Sequence, residues 1–238
     1  MPSARALLLI ADMGGYTSYM RTHRFSLAHA EVNTARLLEK VIDAAPGFDL
    51  IEIEGDAAFL SLDAANLDAD AAVTEVLRAA TSMRRAFHLE RAYVEANLCP
   101  CAGCKEVGDL KLKFVAHIGE VATQTIRQRS KPVGIEVILV HRLLKNPVDI
   151  PEYVLLSEEL YRAGESAVTA PVHEISTELE SIGPVRAYFV DADDLDGSLP
   201  PLPALSWRGR LVSTAAAAGL GMPYLLGLRR RRATALSQ

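Results

Sequence analysis

Two acids beside glycines are the residues of this chain best suited to chemistry: Asp12, within Leu7–Thr17 (LLLIADMGGYT), and Asp56, within Ile51–Leu62 (IEIEGDAAFLSL). The first stretch is an apolar run ending in a carboxylate and Gly14-Gly15. The second alternates apolar and acidic residues, breaks at Gly55-Asp56 and resumes as an apolar run. Both patterns predict strands with an Asp at the exit. Such an edge can bring carboxylate oxygens and free backbone N–H groups to one point, which suits a divalent metal and a polyphosphate. Each Asp taken singly is more often a structural turn residue, whose side chain bonds the backbone ahead of it, than a ligand.

The elements that would position these acids can be read along the chain. Arg5–Ile10 reads as the first strand, and Gly14-Gly15 leads into a short polar helix over Thr17–Arg21. Ser26 is a candidate N-cap for a helix through Ala44 with Leu27, Ala30, Leu37, Leu38 and Val41 on one side. Phe48–Glu54 and Ala57–Leu62 form a hairpin about Gly55-Asp56, and a second long helix spans Asp70–Ala96. Leu110–His117 alternates as a half-buried strand, followed by a basic loop, RQRSKPVG. Ile135–Asn146 (IEVILVHRLLKN) is apolar apart from a few residues such as Glu136, His141 and Arg142, which predicts a buried helix carrying a few placed polar groups. Strands at Tyr153–Leu156, His173–Leu179 and Val185–Val190 follow, with a short helix beginning near Ser157.

Both acidic stretches resemble the signature of class III nucleotide cyclases, the adenylyl and guanylyl cyclase family. IADMGGYT is similar to that family's opening strand, metal Asp and phosphate-cradling turn, and EIEGDAAF to its second metal strand with Gly-Asp at the hairpin. KFVAHIGEV resembles the segment before its catalytic helix; Gly134 and Arg142 match the Gly ahead of that helix and the Arg within it. The resemblance runs from Arg5 to about Asp191 and implies an α/β (α+β) sandwich, with a ferredoxin-like mixed sheet covered by helices. It implies two Mg²⁺ or Mn²⁺ ions clamped by Asp12 and Asp56. The N–H groups of Met13, Gly14, Gly15, Tyr16 and Thr17 would cradle phosphates, and Arg142 would be the catalytic residue stabilising charge on the transferring phosphate. A head-to-tail homodimer would set Asp12, Asp56 and Glu52 of one chain opposite Arg142 of the partner subunit.

The departures from the family pattern matter as much. Four residues before Asp56, where adenylyl members carry Lys to read the base, stands Glu52, as in guanylyl members; its alternation with Glu54 equally fits a side chain in solvent. The second base-reading position, three residues before Gly134, is Lys131, which is neither Asp, Cys nor Thr. The family's catalytic Asn falls at Ile138, and losing such a donor costs about 10²–10³ in rate. No late-strand Lys is evident where Glu178 and Glu180 stand. The residues therefore fit a catalytically degenerate, regulatory cyclase-like domain that binds a metal-nucleotide or related phosphate ligand. The alternatives are a slow purine nucleotide cyclase, guanylyl before adenylyl, and a dimerising or membrane-docking module.

All three cysteines fall within Cys99-Pro-Cys101-Ala-Gly-Cys104. That spacing reads as thiolate ligation of zinc rather than a disulfide framework, with a fourth ligand, preferably a histidine, drawn from His88, Glu106, Asp109 or His117. The insertion marks a divergent branch of the superfamily. A net charge of −5 argues against nucleic acid as the partner. The N-terminus lacks a signal-peptide pattern, so a cytoplasmic location is expected. The organisation expected is a cyclase-like domain over residues 1–191, a Pro-rich linker over 192–210, and an apolar segment with a basic tail over 211–238. That segment could pack on the domain or make weak contact with a membrane surface.

Overall fold

The computed structural model describes residues 3–22, 27–96, 102–196, 206–212 and 214–215. The first strand, β1 (Ser3–Gly14), lies between β3 (Ala57–Asp63) and β4 (Lys111–Ile126), antiparallel to both. Double pairing explains why β1 runs past the apolar residues: the ladder is built from backbone, so Asp12, Met13 and Gly14 stay in it opposite Lys113, Leu112 and Lys111. Asp12 is therefore held inside a strand and not at its exit.

Eight strands form one mixed sheet. Its main path is β2 (Asp49–Glu54), β3, β1, β4, β6 (Tyr153–Ser157), β8 (Gly183–Asp191) and β7 (His173–Leu179), while β5 (Arg129–Val133) pairs only with β4. The basic segment expected as a loop is thus the far half of a β4–β5 hairpin, turning at Arg127 with φ 58°. Pro132 is tolerated there because β5 lies at an edge. The β4–β6 pair is the sole parallel one among the described strands. A parallel pair needs a crossover, and the helix over Ile135–Leu143 supplies it.

Side chains on β1 alternate between two cores. Leu7, Leu9, Ala11 and Met13 face the helical pair α2 (Leu27–Asp43) and α3 (Ala69–Glu95). Ala6, Leu8 and Ile10 face the other side, together with Phe59, Val115 and Leu155. Asp68 caps α3, its Oδ1 accepting from Ala71 N at 2.7 Å; Ser26, the expected cap of α2, lies outside the described residues. Short helices α1 (Tyr16–Thr22), α4 (Ala102–Lys105), α6 (Glu158–Ala163) and α7 (Ala192–Asp196) fill connections around the sheet.

The crossover helix α5 (Ile135–Leu143) packs against β1 and β4. It is not the buried helix its composition predicts. Val140 and Leu143 are covered, whereas Ile135 and Ile138, three apart on one side, are 57% and 48% exposed. One stripe suffices to close the sheet, so the remaining apolar side chains are left outside.

Candidate functional site

By strand parity Asp12 belongs to the face that α5 covers. Asp56 sits in the β2–β3 turn, where Gly55 takes a left-handed φ of 69° and Asp56 O accepts from Met13 N at 3.2 Å. That bond joins the two acidic stretches. Burial, then the charge of Asp12, push the Asp56 carboxyl above the usual Asp value, while its own amide and Lys113 pull the other way. Lys113 Nζ reaches Asp12 Oδ2 at 3.1 Å from the neighbouring strand. The two acids the sequence singled out are therefore electrostatic neighbours, with an ammonium group already beside them.

Such a donor set suits a hard divalent ion that takes oxygen ligands and completes its shell with phosphate and water. Asp12 and Asp56 would hold it. The fit is to one ion, because Lys113 engages Asp12 and, among the described residues, no group of three or more His, Cys, Asp or Glu gathers within metal-holding reach.

The expected cradle, Met13 to Thr17, is only partly a loop. The Met13 and Gly14 positions are in the β1 ladder and the Met13 amide is spent on Asp56 O. Gly15, with φ 86°, makes the turn for which glycine is needed, and Tyr19 N closes the first α1 turn onto Gly15 O. The opening amides of a helix have no intrahelical acceptor, so those of Tyr16 and Thr17 are the suitable donors. Burial and the charges of Asp56 and Glu31 raise the Tyr16 hydroxyl.

Beyond Asp56, a shallow cleft of about 270 Å³ lies between β2, β5 and α5, lined in part by Glu52, Glu54, Lys131, Ile138, His141 and Phe59. Both expected base-reading residues are in it, and they meet: Lys131 Nζ is 3.4 Å from Glu52 Oε2. His141 Nε2 contacts Glu54 Oε1 at 3.1 Å and its Nδ1 contacts Val137 O at 2.7 Å, which ties α5 to β2. Arg142, one residue on, leaves this cleft and pairs with Glu180 Oε2 at 3.3 Å.

His117 is a structural node. It is 1% exposed, with Nδ1 at 2.8 Å from Ser157 Oγ and Nε2 at 2.6 Å from Glu136 Oε2. It lies on the α5 face, whereas Cys104 is buried on the opposite face, where Asn33 Nδ2 approaches its Sγ at 3.8 Å. His88 contacts Glu152 at 2.9 Å. Cys99 and Cys101 lie outside the described residues, and among the described residues no group of three or more His, Cys, Asp or Glu gathers around Cys104.

The family model described as "Protein of unknown function (DUF2652)" matches residues 34–153. A Mycobacterium tuberculosis relative, "Uncharacterized protein Rv2561/Rv2562", is 34% identical over 198 residues, covering 82% of this chain and 90% of that protein. The chain belongs to the DUF2652 family. The DUF2652 chain also shares its fold with solved nucleotide cyclases. The adenylyl cyclase CyaB from P. aeruginosa superposes with a TM-score of 0.62 at 16% identity, over 79% of this chain and 94% of that one. The guanylyl cyclase Cya2 gives 0.61 at 16% identity, over 79% and 92%. The guanylate cyclase domain of RhGC from Catenaria anguillulae, solved in complex with GTP, gives 0.59 at 16% identity, over 80% and 98%. The DUF2652 fold is thus cyclase-like, as the paired motifs implied.

Lys113, Glu136 and Ser157 were missed as site residues in the DUF2652 sequence. Lys113 shares strand parity with His117 in LKLKFVAH, but its position opposite Asp12 follows only from the β1–β4 register.

Proposed function

We propose that this protein binds a purine nucleotide, or a related phosphate ligand, together with one divalent metal ion, in a regulatory role without efficient turnover. The observation carrying this reading is the meeting of Asp12 and Asp56 at one end of β1 and β3, beside the open turn at Gly15, in a cyclase-like sheet. Asp12 and Asp56 hold Mg²⁺ or Mn²⁺. Lys113 and the first amides of α1 take the phosphates, and the base enters the cleft of Glu52, Lys131 and His141. The bound ion supplies charge neutralisation at the phosphate oxygens. This chain's residues bind and orient; Ile138 stands where an Asn would orient the ribose, so the fast step of a cyclase is not expected.

The runner-up is a slow purine nucleotide cyclase with a guanine preference. Glu52 supports it, since a carboxylate can accept from the guanine N1–H and N2 amine once Lys131 moves aside. A homodimer is part of either reading, because Ile135 and Ile138 of α5, Leu50 and Ile53 of β2 and Ile126 of the hairpin are all exposed. Zinc on Cys99, Cys101 and Cys104 is a separate proposal, tested by metal analysis of the purified chain and of Cys104→Ser.

The deciding experiment is calorimetric titration of GTP and ATP analogues with manganese into wild type, Asp12→Ala and Asp56→Ala. Metal-dependent binding in the wild type, lost in both variants, is the expected result. Absence of binding in the wild type overturns the reading and leaves a cyclase-shaped scaffold.

A further inference from the structure

All 30 acidic residues precede Gly197, whereas 6 of the 25 Lys and Arg residues follow it. The first 196 residues thus hold 19 basic against 30 acidic side chains, and the rest hold six arginines with no acid. Two of those arginines, Arg208 and Arg210, lie on a short helix at 207–212. Ser206 caps it, its Oγ accepting from Gly209 N at 3.2 Å and its carbonyl from Arg210 N at 3.0 Å. The other four are Arg229–Arg232, and the 18 residues between, Leu211–Leu228, carry no charge.

The helix leaves its apolar residues in solvent. Trp207 is 67% exposed, Leu211 47% and Val212 69%, and Trp207 and Leu211, four apart, share one side. The Arg208 guanidinium lies 5.8 Å from the centre of the Trp207 ring, a cation–π arrangement that leaves both groups outward. Single exposed apolar groups are ordinary. Three within six residues, interleaved with arginine and leading into an uncharged run, form a patch that needs an occupant.

We propose that the helix at 207–212 docks on an anionic lipid surface, with Trp207, Leu211 and Val212 in the headgroup layer and Arg208 and Arg210 on lipid phosphates. Trp suits that layer because its ring is apolar and its N–H polar. The charge division selects the orientation: the acidic body is repelled by an anionic surface and the arginine-bearing end attracted to it, at roughly fivefold in affinity per arginine. Lying on the surface fits better than crossing it, since the uncharged run falls short of about 20 predominantly apolar residues and contains Pro223 and three glycines. No helix among the described residues is long and apolar enough to cross a membrane. This docking uses none of the groups around Asp12, so it stands or falls separately from nucleotide binding.

Trp207 is the chain's one tryptophan, so its emission reports this patch alone. The full chain is mixed with vesicles of phosphatidylcholine, or of phosphatidylcholine with phosphatidylglycerol, and both emission and sedimentation are followed. A blue shift and co-sedimentation with the anionic vesicles only, reversed by salt, is expected. Arg208→Gln with Arg210→Gln weakens partition by more than tenfold, while an unchanged urea midpoint shows that the exposed substitutions leave the fold intact. Emission unaltered by either vesicle with all protein in the supernatant overturns the proposal. So does emission already blue-shifted before lipid is added, which would put Trp207 against the protein, and so does equal binding to neutral vesicles.

Discussion

Lys113 Nζ lies 3.1 Å from Asp12 Oδ2, directly across the β1–β4 ladder. A lysine there is a resident cation at the point where the nucleotide reading needs a metal. Partly buried ion pairs of this kind contribute about 1 kcal/mol, roughly a fivefold effect on an equilibrium. Lys113→Met is therefore expected to tighten Mn²⁺ binding to the ligand-free protein by about that factor and to weaken binding of a metal-free polyphosphate. Calorimetric titration of each ligand separates the two effects. Unchanged manganese affinity would remove Lys113 as a competitor.

Asp56 is placed at a cost to the fold. Burial and Asp12 raise its carboxyl above the ordinary 3.8, so the ionised form is less stable folded than unfolded. The penalty is present at neutral pH and disappears as pH falls below the unfolded value, where both states are protonated. Asp56→Asn should therefore raise the melting temperature at neutral pH and leave it unchanged at acid pH, while abolishing metal-dependent binding. Thermal melts at pH 7 and pH 3 check the sign. A variant that is less stable at neutral pH would mean that the carboxylate is structural.

Glu152 has the opposite sign. It is 6% exposed just ahead of β6 and accepts from Arg84 Nε at 2.7 Å and Leu112 N at 3.0 Å, with His88 Nε2 at 2.9 Å. Burial alone would raise its carboxyl, but His88, Arg84 and the Leu112 amide outweigh burial and bring it from 4.5 to about 2. That stability is complete above about pH 4.5 and is lost as pH falls towards 2. Glu152→Gln should cost about 3 kcal/mol at pH 7, and urea denaturation should show the gap from wild type closing on acidification. A gap independent of pH would assign the cost to shape rather than charge.

What the sequence made legible was local. The β1 and β2–β3 patterns and the Gly55-Asp56 turn could be read from alternation and glycine. The pairing of Asp12 with Lys113, and of His117 with Glu136 and Ser157, depends on strand register and on where α5 crosses, which no single segment encodes. RQRSKPVG looked like a loop because its side chains are polar, yet a hairpin rising from the sheet needs no apolar face. IEVILVHRLLKN looked buried because composition cannot tell a helix covered on both sides from one that leaves Ile135 and Ile138 outside. Arg142 matched by position, but its partner within the chain is Glu180, which spacing did not suggest.

Gly119 is required for a reason of space. A Cβ there would sit 2.6 Å from Glu136 Cγ and 3.0 Å from His117 Nε2, so the His117–Glu136 contact exists only because residue 119 lacks a side chain. Gly119→Ala should destabilise by about 1–3 kcal/mol and displace the first turn of α5, weakening nucleotide binding with Asp12 and Asp56 intact. Denaturation with parallel binding titrations tests this, and a neutral substitution would show that Glu136 moves freely.

Ile138 offers the sharpest test of turnover. It is 48% exposed in the cleft, so Ile138→Asn should change stability by less than about 0.5 kcal/mol and can be read for chemistry alone. One restored donor is worth about 10²–10³ in rate to an otherwise complete site. The resemblance implies a second missing element, since Glu178 and Glu180 stand in the late-strand region where it expects a phosphate-binding Lys, and Arg142 pairs with Glu180. The expected outcome is intact nucleotide binding with cyclic product still at background. If cyclic GMP formation instead rises by about two orders of magnitude over wild type, the chain is a slow cyclase whose remaining machinery is sound, and the binding-only reading fails.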